Sequence, residues 1–261
     1  MIKFFHQIRQ NVLSEGKFRK YFTYAIGEII LVVIGILIAL QVNSWNQKRL
    51  DHREEKEVLI SLKEDFRNAI EEFETLNLVR SNLILATKEI FKLTPDSIDQ
   101  YPDIYLDSLF SKTLAGPTFN NNFGSLDVLL TSGKIDLILN HQLKEILIEW
   151  PGDVADMIED EVSQNELYLG KYSDLLTKYV PYNDLVKAFA FPRARFHEIT
   201  LESLPENPIL TSDYAALLAD KEFLNVLNRR AILCMISNQE TDILIEKAML
   251  IIQMIENELN Q

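Results

Sequence analysis

The run from Ile29 to Leu40 reads IILVVIGILIAL and carries no polar side chain. No other feature constrains the fold of this chain as tightly. Tyr21 to Gly27 (YFTYAIG) precedes it, and Val42 follows just beyond Gln41. Residues 21 to 42 therefore suit a single helix. At about 1.5 Å per residue that helix is roughly 30 Å long, the thickness of a hydrocarbon core. Each Leu, Ile and Val favours insertion by about 0.3 to 0.6 kcal/mol, and their sum exceeds the cost of the one off-centre charge, Glu28. Tyr21, Tyr24 and Trp45 stand where interfacial aromatics belong. A cleaved signal peptide is the poorer reading, because the run is long and Ala39-Leu40-Gln41-Val42 offers no small-x-small cleavage site. A buried core helix also fits poorly, because the run is apolar all round and flanked by charge. A transmembrane helix over residues 21–45 is the expectation, with membrane lipid as its first partner.

Charge sorts the two sides. The net charge is −13, yet Lys3, Arg9, Lys17, Arg19 and Lys20 stand against Glu15 alone before residue 25, so the tail is +4 and the remainder −17. A basic tail beside an apolar span suits anionic headgroups. An acidic body argues against a nucleic-acid partner, since phosphate binding runs on clustered Lys and Arg. The five basic residues before the span exceed the four just after it (Lys48, Arg49, Arg53, Lys56). That bias, with the membrane potential, places the N-terminus in the cytoplasm and the acidic body outside it. Within the tail, Ile2, Phe5, Ile8 and Val12 recur at helical spacing. Residues 1–20 read as a basic amphipathic cytoplasmic tail lying on the membrane surface, with Gly16 as its stop.

Beyond Trp45 the pattern becomes charged and amphipathic. Leu59, Leu62, Phe66, Ala69, Phe73 and Leu76 step by threes and fours, and Leu83 and Ile90 resume the frame after Arg80 and Thr87 interrupt it. This is a heptad-like seam on a long helix. Neither Gly nor Pro occurs between Ile36 and Thr94, so the membrane helix is expected to run into this stalk and end at Thr94-Pro95-Asp96. A short helix over Ile104 to Leu114 follows, then a turn-rich loop, GPTFNNNFG, from Gly116 to Gly124. Ser125 reads as the cap of a helix through Thr131, stopped at Ser132-Gly133, and Lys134 to Leu139 as a further turn. Asn140 reads as the cap of a segment with Leu143, Ile146 and Leu147 on one face. Trp150-Pro151-Gly152 is expected to kink or break that helix. Past it, Val154, Ile158, Val162, Tyr168, Tyr172, Leu175 and Tyr179 form a stripe. Pro181 to Pro208 reads as an irregular connector. Asp213 to Ala219 reads as a short helix, and Asp220 as the cap of a long one carrying Leu224, Leu227, Cys234, Ile245, Ile252, Ile255 and Leu259. The expected fold class is all-α: a single N-terminal transmembrane helix continuing into an antiparallel helical bundle, with residues 46–261 as an acidic extracytoplasmic helical domain.

The sequence holds little that suggests chemistry. Cys234 is the one cysteine, which excludes an intramolecular disulfide and a four-cysteine zinc site. None of His6, His52, His141 and His197 follows a glutamate by three residues, so the Glu-x-x-His pairs of di-iron bundles are missing. No phosphate-binding glycine loop and no Gly-x-Ser-x-Gly turn occur. Cys234 reads as a buried structural residue, and Glu71-Glu72 and Glu159-Asp160-Glu161 as solvated helix faces. No catalytic residue, metal ligand or cofactor is expected. Two contact regions stand out. Glu28 is costly in lipid unless it meets a partner or the headgroups, and Gly27, Gly35 and Ala39 share nearly one face that would seat a second helix. The loop residues Phe119, Asn120, Asn121 and Asn122 could present amides to a ligand, although asparagines in such loops more often satisfy their own backbone.

SEGK, then YAIGEI, then LVVIGILIALQVN followed by Trp45-Asn46 closely resembles the N-terminus of a domain-of-unknown-function family of Gram-negative bacterial membrane proteins. The stretch from Phe123 to Leu139, with SGKIDLI, is similar to that family's second recurrent block, and the ending from Ala219-Asp220 through Phe223 is similar too. The resemblance implies a single-pass protein with a helical domain and no assigned activity. The expected location is the bacterial inner membrane, with the C-terminal domain periplasmic. The expected role is a non-enzymatic interaction or scaffold protein of the cell envelope, with a protein partner or self-association through the membrane helix or stalk. The alternative is a ligand-binding sensory module acting through a partner membrane protein, because a tail of roughly 20 residues cannot hold an output domain.

Overall fold

The computed structural model describes residues 18–114, 116–120, 123–188 and 209–260. The amphipathic tail, with Ile2, Phe5, Ile8, Val12 and Gly16, lies outside the described residues. So do His6, His197, Asn121, Asn122 and positions 189–208 of the expected connector. Among the described residues there are eight α-helices and no strand. They are α1 (Phe18–Ile90), α2 (Asp103–Ser111), α3 (Gly124–Thr131), α4 (His141–Leu167), α5 (Ser173–Thr177), α6 (Tyr182–Ala188), α7 (Tyr214–Ala219) and α8 (Lys221–Leu259). Short 3₁₀ turns occupy Pro95–Gln100, Lys112–Leu114 and Lys134–Leu137, and one π turn, Tyr168–Tyr172, links α4 to α5.

α1 is 73 residues long, as the missing Gly and Pro lead one to expect. The chain divides into two compact units, Met1–Glu57 and Val58–Gln261. In the first, the apolar side chains are exposed along the helix, among them Leu31, Ile34, Leu37 and Leu40. Beyond Trp45 local side-chain pairing supports the helix: Gln47 donates to Asp51 at 2.8 Å and Arg53 to Glu57 at 3.2 Å. Such i,i+4 pairs each add a few tenths of a kcal/mol, about 0.2–0.5.

The second unit is a bundle of α4, α8 and the C-terminal part of α1. α8 runs antiparallel to α1, because Lys63 meets Glu256, Asn77 meets Asp242 and Ser81 meets Asn238. It also runs antiparallel to α4, where Lys247 meets Asp153 while Gln164 meets Ser237. α1 and α4 run the same way, since Phe66 packs on Trp150 and Arg80 on Glu161. The heptad seam read from the sequence is the buried face of α1. Leu59, Leu62, Phe66, Ala69, Phe73, Leu76, Leu83 and Ile90 are all buried.

Side chains cap three helix starts, two of them (Asn140 and Asp220) as the sequence reads. Asn140 accepts from the Leu143 N–H at 3.0 Å, Asp213 from Ala216 at 2.9 Å, and Asp220 from Glu222 at 2.8 Å. Gly133 takes φ +71° after α3, the left-handed conformation a helix stop needs. Asn140 also donates to Glu258 at 2.8 Å, tying the start of α4 to the end of α8. Asn140→Ala is therefore expected to cost about 1–2 kcal/mol, read from the shift in chemical-unfolding midpoint.

Five expectations need correction. Of the kink or break expected at Trp150-Pro151-Gly152, the break does not occur, since α4 is continuous through Pro151. Pro151 lies exposed while Leu147, Trp150 and Val154 are buried, so apolar burial along one face outweighs the lost backbone hydrogen bond. Ser125 does not cap α3. The Ser125 N–H is instead taken by Asp65 of α1 at 2.9 Å, a carboxylate supplied from another helix. Ile158 and Val162 are exposed, because two steps of four turn them away from Val154, and Met157 and Glu161 hold the buried face. On α8 the centre of the buried stripe passes through Phe223, Leu244 and Ile251, which leaves Leu224, Ile245 and Ile252 at its half-buried flank. Pro181 is followed by α6 rather than by irregular chain, which suits a proline just ahead of a first helical turn.

Candidate functional site

Among the described residues two large apolar cores, with a small cluster of Leu83, Ala231 and Cys234 besides, fill the bundle. One gathers Leu62, Phe66 and Phe73 of α1, Leu147 and Trp150 of α4, Leu244 and Ile251 of α8, and Phe119 and Phe123 of the loop. The other gathers Ile90, Phe110, Tyr172, Leu185, Leu217 and Phe223. Between them lies a belt of buried polar side chains, and this belt is the candidate functional site.

Its centre is the pair Arg80–Glu161, whose side chains are 0% and 2% exposed. One guanidinium nitrogen of Arg80 donates to Glu161 Oε1 and the other to Thr241 Oγ1, the latter at 2.9 Å. Glu161 Oε2 accepts the backbone N–H of Phe119 at 2.7 Å. Burial pushes the Glu161 carboxyl above its ordinary value and the Arg80 guanidinium below its own, and each charge offsets this for the other. Next in the belt, Gln164 donates to Ser237 at 2.5 Å and accepts from the Cys234 thiol at 3.3 Å. Burial raises that thiol, while Arg230 and Arg80 act to lower it. Cys234 is thus the buried structural residue expected from its place on the α8 stripe.

Arg230 closes the belt on the other core. Its guanidinium lies over the rings of Tyr168 and Tyr172, 4.7 and 4.4 Å from their centroids, a desolvated cation–π arrangement. Both tyrosines sit in the π turn, the rare wide turn that tends to occur at functional positions. Burial pushes Tyr172 up to about 12, and its hydroxyl donates to Thr113, which in turn donates to the Phe110 carbonyl. Gly116, Pro117, Gln164, Asn165, Arg230 and Cys234 line a small cleft with room for about one water molecule. The cleft is tight at its rim: a Cβ on Gly116 would stand 2.6 Å from Asn165 Oδ1.

The residues singled out from sequence lie elsewhere. Gly27, Glu28, Gly35 and Ala39 are exposed on α1, with open space where a Cβ would extend from either glycine. Phe119 is buried in the first core, stacked on Phe73 with centroids 4.5 Å apart. The Asn120 N–H goes to Glu72 at 3.0 Å, and its side-chain amide donates to the Thr118 carbonyl at 2.8 Å. Carboxylates therefore hold the loop on three N–H groups, those of Phe119, Asn120 and Ser125. The reading of Glu159-Asp160-Glu161 as a solvated face is corrected at Glu161, which is 3% exposed. The signal for the belt was Arg80 inside an apolar seam; its partners on α4 and α8, Glu161 and Thr241, carried no such mark.

Over residues 28–151 the chain matches the model of a family of unknown function, DUF6090. That agrees with the resemblance to an uncharacterised family drawn from the N-terminal and SGKIDLI blocks. No curated protein and no solved structure matches the chain.

Proposed function

We propose that the protein is a membrane-anchored, non-enzymatic interaction or scaffold protein of the cell envelope. One observation carries this reading. The most apolar stretch of α1 is strongly hydrophobic, and 0% of it is buried. Leaving such a surface in water costs about 25 cal/mol per Å² of apolar area, a cost that lipid removes. On this reading residues 21–45 cross the inner membrane once, the basic tail stays cytoplasmic, and the acidic domain is periplasmic. The open face at Gly27, Gly35 and Ala39 then receives a partner helix or a second copy.

Two measurements test this. After an alkaline carbonate wash the protein is expected to float with membranes, and recovery in the soluble fraction without detergent would sink the proposal. Added protease is expected to digest the acidic domain only once the outer envelope is opened, with the tail protected until the inner membrane is broken.

The polar belt, with its π turn, favours a second reading, a sensory domain that acts through a partner membrane protein. A ligand for it is expected to raise Tm with concentration. A Tm unmoved across a panel of small polar compounds would count against this reading.

A further inference from the structure

The seam between α4 and α8 is laddered by polar contacts. At one end Lys247 of α8 meets Glu149 at 3.3 Å and Asp153 of α4. At the other, Gln164 meets Ser237 and Cys234. The register set by these two rungs places Glu240 of α8 opposite Asp160 of α4, with Asp156 one turn earlier on the same helix, and so brings like charges together. Glu240 Oε2 is buried, and no donor reaches it. The cation that faces it is Arg80 of α1, whose guanidinium is already engaged with Glu161 and Thr241. Two carboxyls at this range satisfy each other only with a proton between them, and when both are ionised they repel.

We propose that the Asp160–Glu240 rung is a proton-operated latch that tightens α4 against α8 as pH falls. The inference stands on the bundle alone and does not rest on membrane anchoring. Burial, followed by the Asp160 charge and hydrogen bond, raises the Glu240 carboxyl above its ordinary 4.5, with Asp156 adding to the rise and Arg80 opposing it. A raised value in the folded state means that the native bundle keeps a proton the unfolded chain has released. The stabilisation is thus complete below the ordinary glutamate range and is lost as pH climbs through the raised value. The working window opens at 4.5 and extends upward.

The test is thermal unfolding of the full-length protein in neutral detergent, from about pH 5 to about pH 8, for the wild type, Glu240→Gln and Asp160→Asn. Either amide supplies a donor at every pH. Each variant is expected to exceed the wild-type Tm by about 2–4 °C at the upper end, with the gap closing at the lower end. A gap that stays constant with pH overturns the latch, as does a pair of variants less stable than the wild type at the upper end. Stabilisation of the wild type alone by added Ca²⁺ at the upper end overturns it as well, since the rung would then be a cation site.

Discussion

Arg80→Met is expected to destabilise the bundle by about 3–5 kcal/mol. The substitution preserves bulk but strands Glu161, which would keep a buried charge with only the Phe119 N–H to stabilise it. Thr241 would lose the donor it receives from α1, so all three long helices would feel the loss. Glu161→Gln is expected to cost a similar amount, because it leaves the guanidinium unneutralised between two apolar cores. The pairing argument is tested by the double variant, Arg80→Met with Glu161→Leu. With both charges gone, most of the lost stability should return. Urea unfolding of the detergent-solubilised protein, followed by helicity, reads all three. A single-variant loss below about 1 kcal/mol, the range of exposed pairs, would mean that water reaches the belt.

Trp150→Ala is expected to cost about 3–5 kcal/mol by the same measurement, the range for emptying a large aromatic site. Trp150 is 0% exposed and touches both helix and loop aromatics. It meets Phe66 at 4.9 Å and Phe123 at 5.5 Å, both near perpendicular. Its indole nitrogen has no hydrogen-bond partner, so the residue contributes through volume and ring contact. Trp150→Phe keeps most of that and removes an unsatisfied donor, so its cost should stay below about 1.5 kcal/mol. If phenylalanine proved as damaging as alanine, the indole N–H would have to be bonded.

What the sequence revealed and what it hid divide by range. The long α1, its seam, the caps at Asn140 and Asp220 and the stop at Gly133 are local matters of spacing and turn chemistry, and they stand as read. The buried state of Glu161 depends on an arginine 81 positions away. The start of α3 depends on a carboxylate 60 positions back. No local pattern encodes such pairings, so Glu161 reads as one more acidic surface residue and Ser125 as its own cap. Pro151 misleads for a related reason, since the packing that carries α4 through it belongs to the assembled bundle.

The belt also bears on alignment. Seams of Leu and Phe tolerate a slip of one helical turn, about 5.4 Å, because one greasy contact replaces another. Here the same slip would slide a methyl group against a guanidinium and leave a carboxylate facing hydrocarbon. The charged pair acts as an index mark. It proofreads how three long rods come together and penalises every docking but one.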